Sequence, residues 1–343
     1  MFSPARSGFG SALSLLAFIV AIAVPLAGRP HAKTLTMGML SYLGVITTLR
    51  EGQVNALLPL SLTLSMLAFS RGRRALGGAL MGLLRLKPQY ALLFPVVFLV
   101  KRRWRELAGM GTMGLGIAGL SLIMLGPGGM VSYMELLRSV DRFPPSPPTW
   151  EQFMVNWRAV IMGVAPGVQE TVGSALMLAA GIMTALISLL AWRGDWDPAS
   201  PSFPIRVLAT TLATVIATPH SHFYGTVLML APIAAMMRSP VTAILPPWIW
   251  RYLGLGYLLP LLIYTYYWPA PPWWSVPYYF LTMLLLTMCI RYSDVANLRT
   301  KMVTAPTFDG KIGGQSIAAA LRPPNAVLSS PSERYEHDRL KTE

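Results

Sequence analysis

Charge is scarce in this sequence, and acid is the scarcest part of it. Only 12% of residues are charged and 54% are hydrophobic, whereas soluble domains carry about 25% charged residues. A soluble globular chain is thereby excluded, and a polytopic membrane protein is expected. No Asp or Glu precedes Glu51. Cys289 is the single cysteine, so no intrachain disulfide can form and the redox compartment stays open. The four histidines include His220 and His222, but no further Cys, His or carboxylate stands near them in sequence to complete a metal site. Neither a metal nor a cofactor is expected. No internal repeat is present. Arg6 alone precedes the first apolar run, and no clear signal-cleavage site follows it.

What is present is basic charge, a net +14. It lies in clusters between apolar runs, the pattern of cytoplasmic loops in membrane proteins, and so does not imply nucleic acid. Apolar runs of spanning character fall at 9–28, 35–49, 54–69, 107–125, 172–192, 204–218, 222–237, 243–266 and 275–290. About nine spans make an all-α helix bundle over residues 1–290. Residues 291–343 are polar, rich in Pro, Ser and charge, and read as a disordered cytoplasmic tail.

Orientation follows from the two densest clusters, "RGRR" (71–74) and "KRRWR" (101–105), which both belong on the cytoplasmic side. The stretch between them, 75–100, is too short for two full spans of about 20 residues each. A single span would put one cluster outside. The pattern therefore predicts a hairpin of two short helices, 75–85 and 88–100, with "RLKP" (85–88) at its tip. Pro88 lacks an N–H and disfavours helix at Lys87. A long tilted helix is the competing reading. With both clusters inside, "LREGQVN" (49–55), the loop 126–171 and "ATPHSHFYG" (217–225) lie outside, and so does the amino terminus. Trp150, Phe153 and Trp157 recur at helical spacing, as in an amphipathic interfacial helix.

The polar groups beside these runs need a reason, because an ionisable residue within a span costs about 2.5–3.5 kcal/mol. Arg85 and Lys87 are either interfacial anchors with long stems or a cationic site for an anionic headgroup. Gln53 and Asn55 either cap a helix and bond to a neighbour or line a pocket for a sugar or headgroup. Glu51 is either a solvated loop carboxylate beside Arg50 or a base. His220 and His222 either satisfy a backbone carbonyl or donate to a phosphate or a substrate hydroxyl.

The order of these pieces resembles a known family. "GQVNALL" (52–58), then "RGRRALGGALMGLLRLKPQYALLFPVVFLVKRRWREL" (71–107), then "GPGGMVSYMELLRSV", "NWRAVI" (156–161) and "TPHSHFY" (218–224) resemble the core of glycosyltransferase family 87, over residues 35–240. These are multi-pass enzymes of the GT-C superfamily that use polyprenol-phosphate sugars, chiefly polyprenol-phosphate-mannose. The resemblance implies an integral membrane hexosyltransferase, most simply a mannosyltransferase, with its site on the outer face of a bacterial inner membrane. Its partners are then a polyprenol-phosphate sugar, a glycan or glycolipid acceptor, and membrane lipids. An outer-loop carboxylate acts as base on the acceptor hydroxyl, which attacks the anomeric carbon with inversion as lipid phosphate leaves. By this resemblance Lys87 and His220 hold the phosphate, Gln53 and Asn55 lie near the pocket, and His222 and Tyr224 are further candidates.

Two departures stand out. The family motif has an acid after the tyrosine, where this sequence has Gly225. The family also has an early outer loop bearing the catalytic aspartate, and no acid precedes Glu51. The chain thus reads as one lacking the family's usual first part, with Glu51 and Asp141 as candidate substitute bases. The alternative is a polyprenol-lipid-binding or transport protein without catalysis, or an inactive truncated homologue.

Overall fold

The computed structural model describes residues 4–139, 154–165, 170–239, 247–266, 286–289 and 291–292, all within one compact unit, Met1–Val303. The tail expected at 291–343 and the last span expected at 275–290 lie almost wholly outside the described residues. Helices make up the architecture: α1 (Pro4–Leu26), α2 (Ala32–Leu40), α3 (Leu43–Arg50), α4 (Leu57–Ser70), α5 (Arg74–Gly82), α6 (Leu93–Val100), α7 (Trp104–Ser139), α8 (Trp157–Val164), α9 (Glu170–Leu189), α10 (Phe203–Ala217), α11 (Leu230–Arg238) and α12 (Pro247–Tyr266). Among the described residues there is no β-strand, only an isolated antiparallel bridge between Met154 and His222.

Two segments, Trp104–Leu136 and Thr171–Trp192, are long and apolar enough to cross a membrane. They are not the core helices of a soluble protein, because only 17% and 22% of their most apolar stretches are buried. Leu115, Ile123 and Met124 on α7 and Leu178 and Leu186 on α9 are all exposed, as lipid contact requires. The other apolar helices are shorter: Gly10–Leu26, Val54–Ser70, Pro88–Val100, Phe203–Ala217 and Phe223–Arg238.

The run 35–49 is not one helix. Tyr42 adopts an extended conformation (φ −61°, ψ 132°) and separates α2 from α3. Its ring turns inward, and its hydroxyl meets Thr226 Oγ1 at 2.6 Å. The stretch expected as an outer loop from residue 126 begins instead with more helix. Gly126 (φ 68°) interrupts α7, Pro127 follows it, and helix resumes to Ser139. Of the interfacial helix expected over Trp150, Phe153 and Trp157, Trp157 begins α8, capped by Asn156; Trp150 and Phe153 lie outside the described residues.

The hairpin is present. After α5 the chain tightens into 3₁₀ turns at Leu83–Leu86 and Pro88–Ala91 around Lys87 (φ −130°, ψ 87°), then returns as α6. Phe98 near the end of α6 stacks edge-on against Phe69 at the end of α4, and Phe69 also touches Gly77 near the start of α5. Both basic clusters therefore sit at one end, and Lys87 points to the other. A single helix over 75–100 is excluded. Helix α5 is clamped to α7 by glycine. A Cβ on Gly78 would stand 2.0 Å from the Glu106 carbonyl oxygen, and one on Gly109 would stand 2.1 Å from that of Ala75. Small residues permit such backbone approach where lipid provides no hydrophobic drive between helices.

At the basic end an aromatic box closes the bundle. Trp192 and Trp196 stack at 5.0 Å, edged by Phe69, Phe98 and Phe203. Arg103 lies over Trp196 and pairs with the buried Glu106 at 2.6 Å. Arg206, buried on α10, donates to the carbonyls of Asp195 and Arg193. Above it, Thr210, Thr211 and Thr214 each return a hydroxyl to the carbonyl four residues back. That internal bonding lets a threonine-rich helix be buried.

Candidate functional site

At the opposite end, three segments meet. The first is the turn after α3. Gly52 takes φ 63°, a left-handed conformation that a side chain disfavours, and so reverses the chain between Glu51 and Gln53. The second is the hairpin tip at Lys87. The third is the connection from α10 to a 3₁₀ stretch, Phe223–Met229, which carries His220, His222 and Tyr224.

Gln53 ties the first two together. Its Oε1 accepts from Lys87 Nζ at 2.7 Å and from Asn55 Nδ2 at 3.0 Å. Its Nε2 donates to Glu51 Oε2 at 2.5 Å. The orientation of this amide is fixed by chemistry, because an ammonium only donates and a carboxylate only accepts. One neutral amide thus bridges a cation and an anion. Asn55 is wholly buried, and its Oδ1 has no partner among the described residues.

Lys87 also lies over the Tyr224 ring, 5.3 Å from its centroid, and the His222 ring stacks on that same Tyr224 ring at 5.2 Å. Burial lowers the Lys87 pKa from its ordinary value, and the Glu51 charge partly opposes this. Burial pushes His222 down to about 4, helped by the nearby charges of His220, Lys87 and Arg158. His222 is therefore neutral at pH 7 and stacks on Tyr224 as an uncharged ring.

A fourth segment holds the third in place. Asn156 caps α8 by accepting from the Ala159 N–H at 3.1 Å. Its Nδ2 donates to the carbonyls of Thr218 and Pro219. The Val155 N–H donates to the Ser221 carbonyl, and Thr218 Oγ1 donates to the Gln89 carbonyl. Asn156 was not a sequence candidate, although an Asn just before an apolar helical run is a recognisable cap signal. Tyr90 was missed too. It is buried, its hydroxyl stands 3.5 Å from Ser221 Oγ, and it fills the space beside Gly225. A Cβ there would lie 2.0 Å from the Tyr90 oxygen. The space beside Gly225 is therefore filled by a tyrosine from the hairpin.

The structure brings Glu51, Gln53, Asn55, Lys87, His222 and Tyr224 into one cluster, with His220 beside it. Arg85 stays apart, its guanidinium lying against Gly114 of α7. Asp141, the other candidate base, lies outside the described residues. No group of three or more His, Cys, Asp or Glu suited to a metal occurs among the described residues.

A carboxylate, a lysine and several hydroxyl- or amide-bearing groups in mutual contact are suited to acid–base chemistry on an anionic substrate. The sequence profile of glycosyltransferase family 87 matches residues 5–219. The chain belongs to that family. The match covers the Glu51 turn and the hairpin, begins well before the motifs read above, and ends at Pro219, just short of His220. No curated protein and no solved structure matches. Family membership makes this chain glycosyltransferase-like, with a sugar donor and an acceptor as its partners, in keeping with the two apolar helices above.

Proposed function

We propose that the cluster is the donor-phosphate and transfer site of a multi-pass membrane hexosyltransferase, which takes mannose or a related hexose from a polyprenol-phosphate donor to a glycan or glycolipid acceptor. The site lies on the outer face of the membrane, opposite the basic end. The observation that carries this reading is the Lys87–Gln53–Glu51 bridge, in which one amide stands between a cation and a carboxylate.

In the reaction, Glu51 takes the proton of the acceptor hydroxyl as its oxygen attacks the anomeric carbon. The bond from that carbon to the phosphate oxygen breaks, and polyprenyl phosphate leaves with the bonding pair. Lys87 meets the growing phosphate charge, as preorganised cations do in such steps, with His220 as a second donor. Neutral His222 and Tyr224 hold Lys87 in place. The Asn55 Oδ1 can accept from a sugar hydroxyl, which would satisfy an otherwise unpaired buried acceptor.

The test is donor binding in nanodiscs with radiolabelled polyprenol-phosphate-mannose. Lys87→Ala should weaken binding about 10- to 100-fold, the range for losing a charge-assisted hydrogen bond of about 1.5–3 kcal/mol. Retained affinity removes Lys87 from the phosphate. Tight donor binding by a chain that transfers no sugar to any acceptor supports a lipid-binding protein instead.

A further inference from the structure

A cationic cavity lies at the other end of the hairpin from Lys87. It has a volume of about 510 Å³ and is lined by Gly72, Arg73, Arg74, Ala75, Leu76 and Arg105. All three arginines are exposed. None of their guanidinium groups makes a hydrogen bond or an ion pair with another described residue. Glu106, next to Arg105 in sequence, is buried and held by Arg103. Asp197 shares an adjoining cavity with Arg74 but accepts from the Ala199 N–H. Helix α5 begins at this cavity with no side-chain cap, so its first N–H groups add to the positive field. The walls are firm, because α5 and α7 approach to glycine contact at Gly78 and Gly109.

The position says what kind of anion belongs there. Arg105 stands in the first turn of α7, one of the two helices able to cross a membrane. Trp104 beside it is 61% exposed, and Leu76 on the cavity wall is 46% exposed. A spanning-helix end, an exposed Trp, an aliphatic wall and three unpaired guanidinium groups together form a surface at headgroup depth, where Trp concentrates. Guanidinium matches the paired oxygens of a phosphodiester, and basic pockets between spanning helices take anionic lipid headgroups. A water-soluble anion needs neither the Trp nor the aliphatic wall.

We propose that this cavity binds the phosphodiester headgroup of an anionic glycerophospholipid from the surrounding bilayer, on the face opposite Lys87. It is a site separate from the donor cluster, and its test does not depend on transferase activity.

The experiment uses the full chain, purified and measured by native mass spectrometry and by thermal unfolding with added lipid. Phosphatidylglycerol is the probe, phosphatidylcholine the neutral comparison and inorganic phosphate the soluble one. The wild type should retain phosphatidylglycerol in preference to phosphatidylcholine. The triple variant Arg73→Gln, Arg74→Gln, Arg105→Gln should lose that preference, with affinity down on the order of a hundredfold, since each basic residue near the surface contributes about fivefold. The triple lysine variant should keep most of it. Should the triple glutamine variant not fold, Arg105→Gln alone should still weaken retention several-fold. Equal retention of both lipids by the wild type, or unchanged retention by the variants, overturns the proposal. Displacement of phosphatidylglycerol by millimolar inorganic phosphate overturns the lipid assignment and leaves a soluble-anion site.

Discussion

Replacing Gly225 by Ala tests the steric logic of the Lys87 cluster. Gly225 is absent from the glycines with positive φ, so alanine meets no backbone penalty of that kind. The cost comes from contact alone. The new Cβ would lie 2.0 Å from the Tyr90 oxygen and 2.7 Å from its Cζ. Tyr90 has little room to yield, being buried in the core cluster with Leu58, Leu84 and Phe94. Overpacking of this kind costs about 1–3 kcal/mol, and displacing the hydroxyl from Ser221 adds up to about 1 kcal/mol. The thermal-inactivation midpoint of the purified chain should fall accordingly. Tyr90→Phe removes the closest atom, so the double variant should be less damaged than the two single effects combined, by about 1 kcal/mol. Strict additivity would falsify the claim that Tyr90 fills the space beside Gly225, because residues in direct contact couple whereas independent sites add. The same wall stands against Asp, which would bring a carboxylate into the buried space as well. On this account Tyr90 and an acid at 225 are mutually exclusive.

Two further outcomes are expected. Glu51→Gln should abolish transfer while leaving donor affinity within a few-fold, measured by product formation and by donor binding on the same preparation; turnover at the wild-type rate moves the base to another carboxylate such as Asp141. The second concerns pH. His222 is held down to about 4 from an ordinary 6.5, chiefly by burial, so between those values the unfolded chain takes up a proton that the folded chain refuses. Stability should therefore fall as pH drops from 6.5 towards 4, by up to about 3 kcal/mol, and His222→Gln should flatten that slope; equal slopes in the two proteins would show that His222 is not buried in its neutral form.

Much of the site could be read from local chemistry. The hairpin follows from two basic clusters too close together for two spans, with a proline where the helix must break. The grouping of Gln53, Asn55 and Lys87 follows from the question of why polar residues flank apolar runs at all. Other features had no local signal. The run 35–49 has no charged residue and no proline, and nothing in it marks Tyr42 as the break; that residue is turned inward by Thr226, 184 positions away. Tyr90 looks like one more aromatic after Lys-Pro, and its role appears only through Ser221 and Gly225, which are distant in sequence. Asn156 carried a cap signal, but the two carbonyls its side chain holds lie on another segment. Periodicity reports which face of a helix is apolar. It does not report which loop that face will meet.

The hairpin also explains why a lysine can be kept at this depth. A full span would carry Lys87 through the hydrocarbon, where its charge is costly. Two short arms instead bring it to the level of the Gln53 turn. There its direct partners are an amide oxygen and an aromatic face, which orient the ammonium without cancelling it. The carboxylate of Glu51 is set off by the intervening amide. A direct Lys–Glu pair would satisfy both groups and leave neither available. Separated by Gln53, the cation keeps its demand for an anion, and the carboxylate keeps lone pairs for a proton. This arrangement is the physical content of the transferase reading: the fold holds two opposite charges near each other and prevents them from closing into a salt bridge.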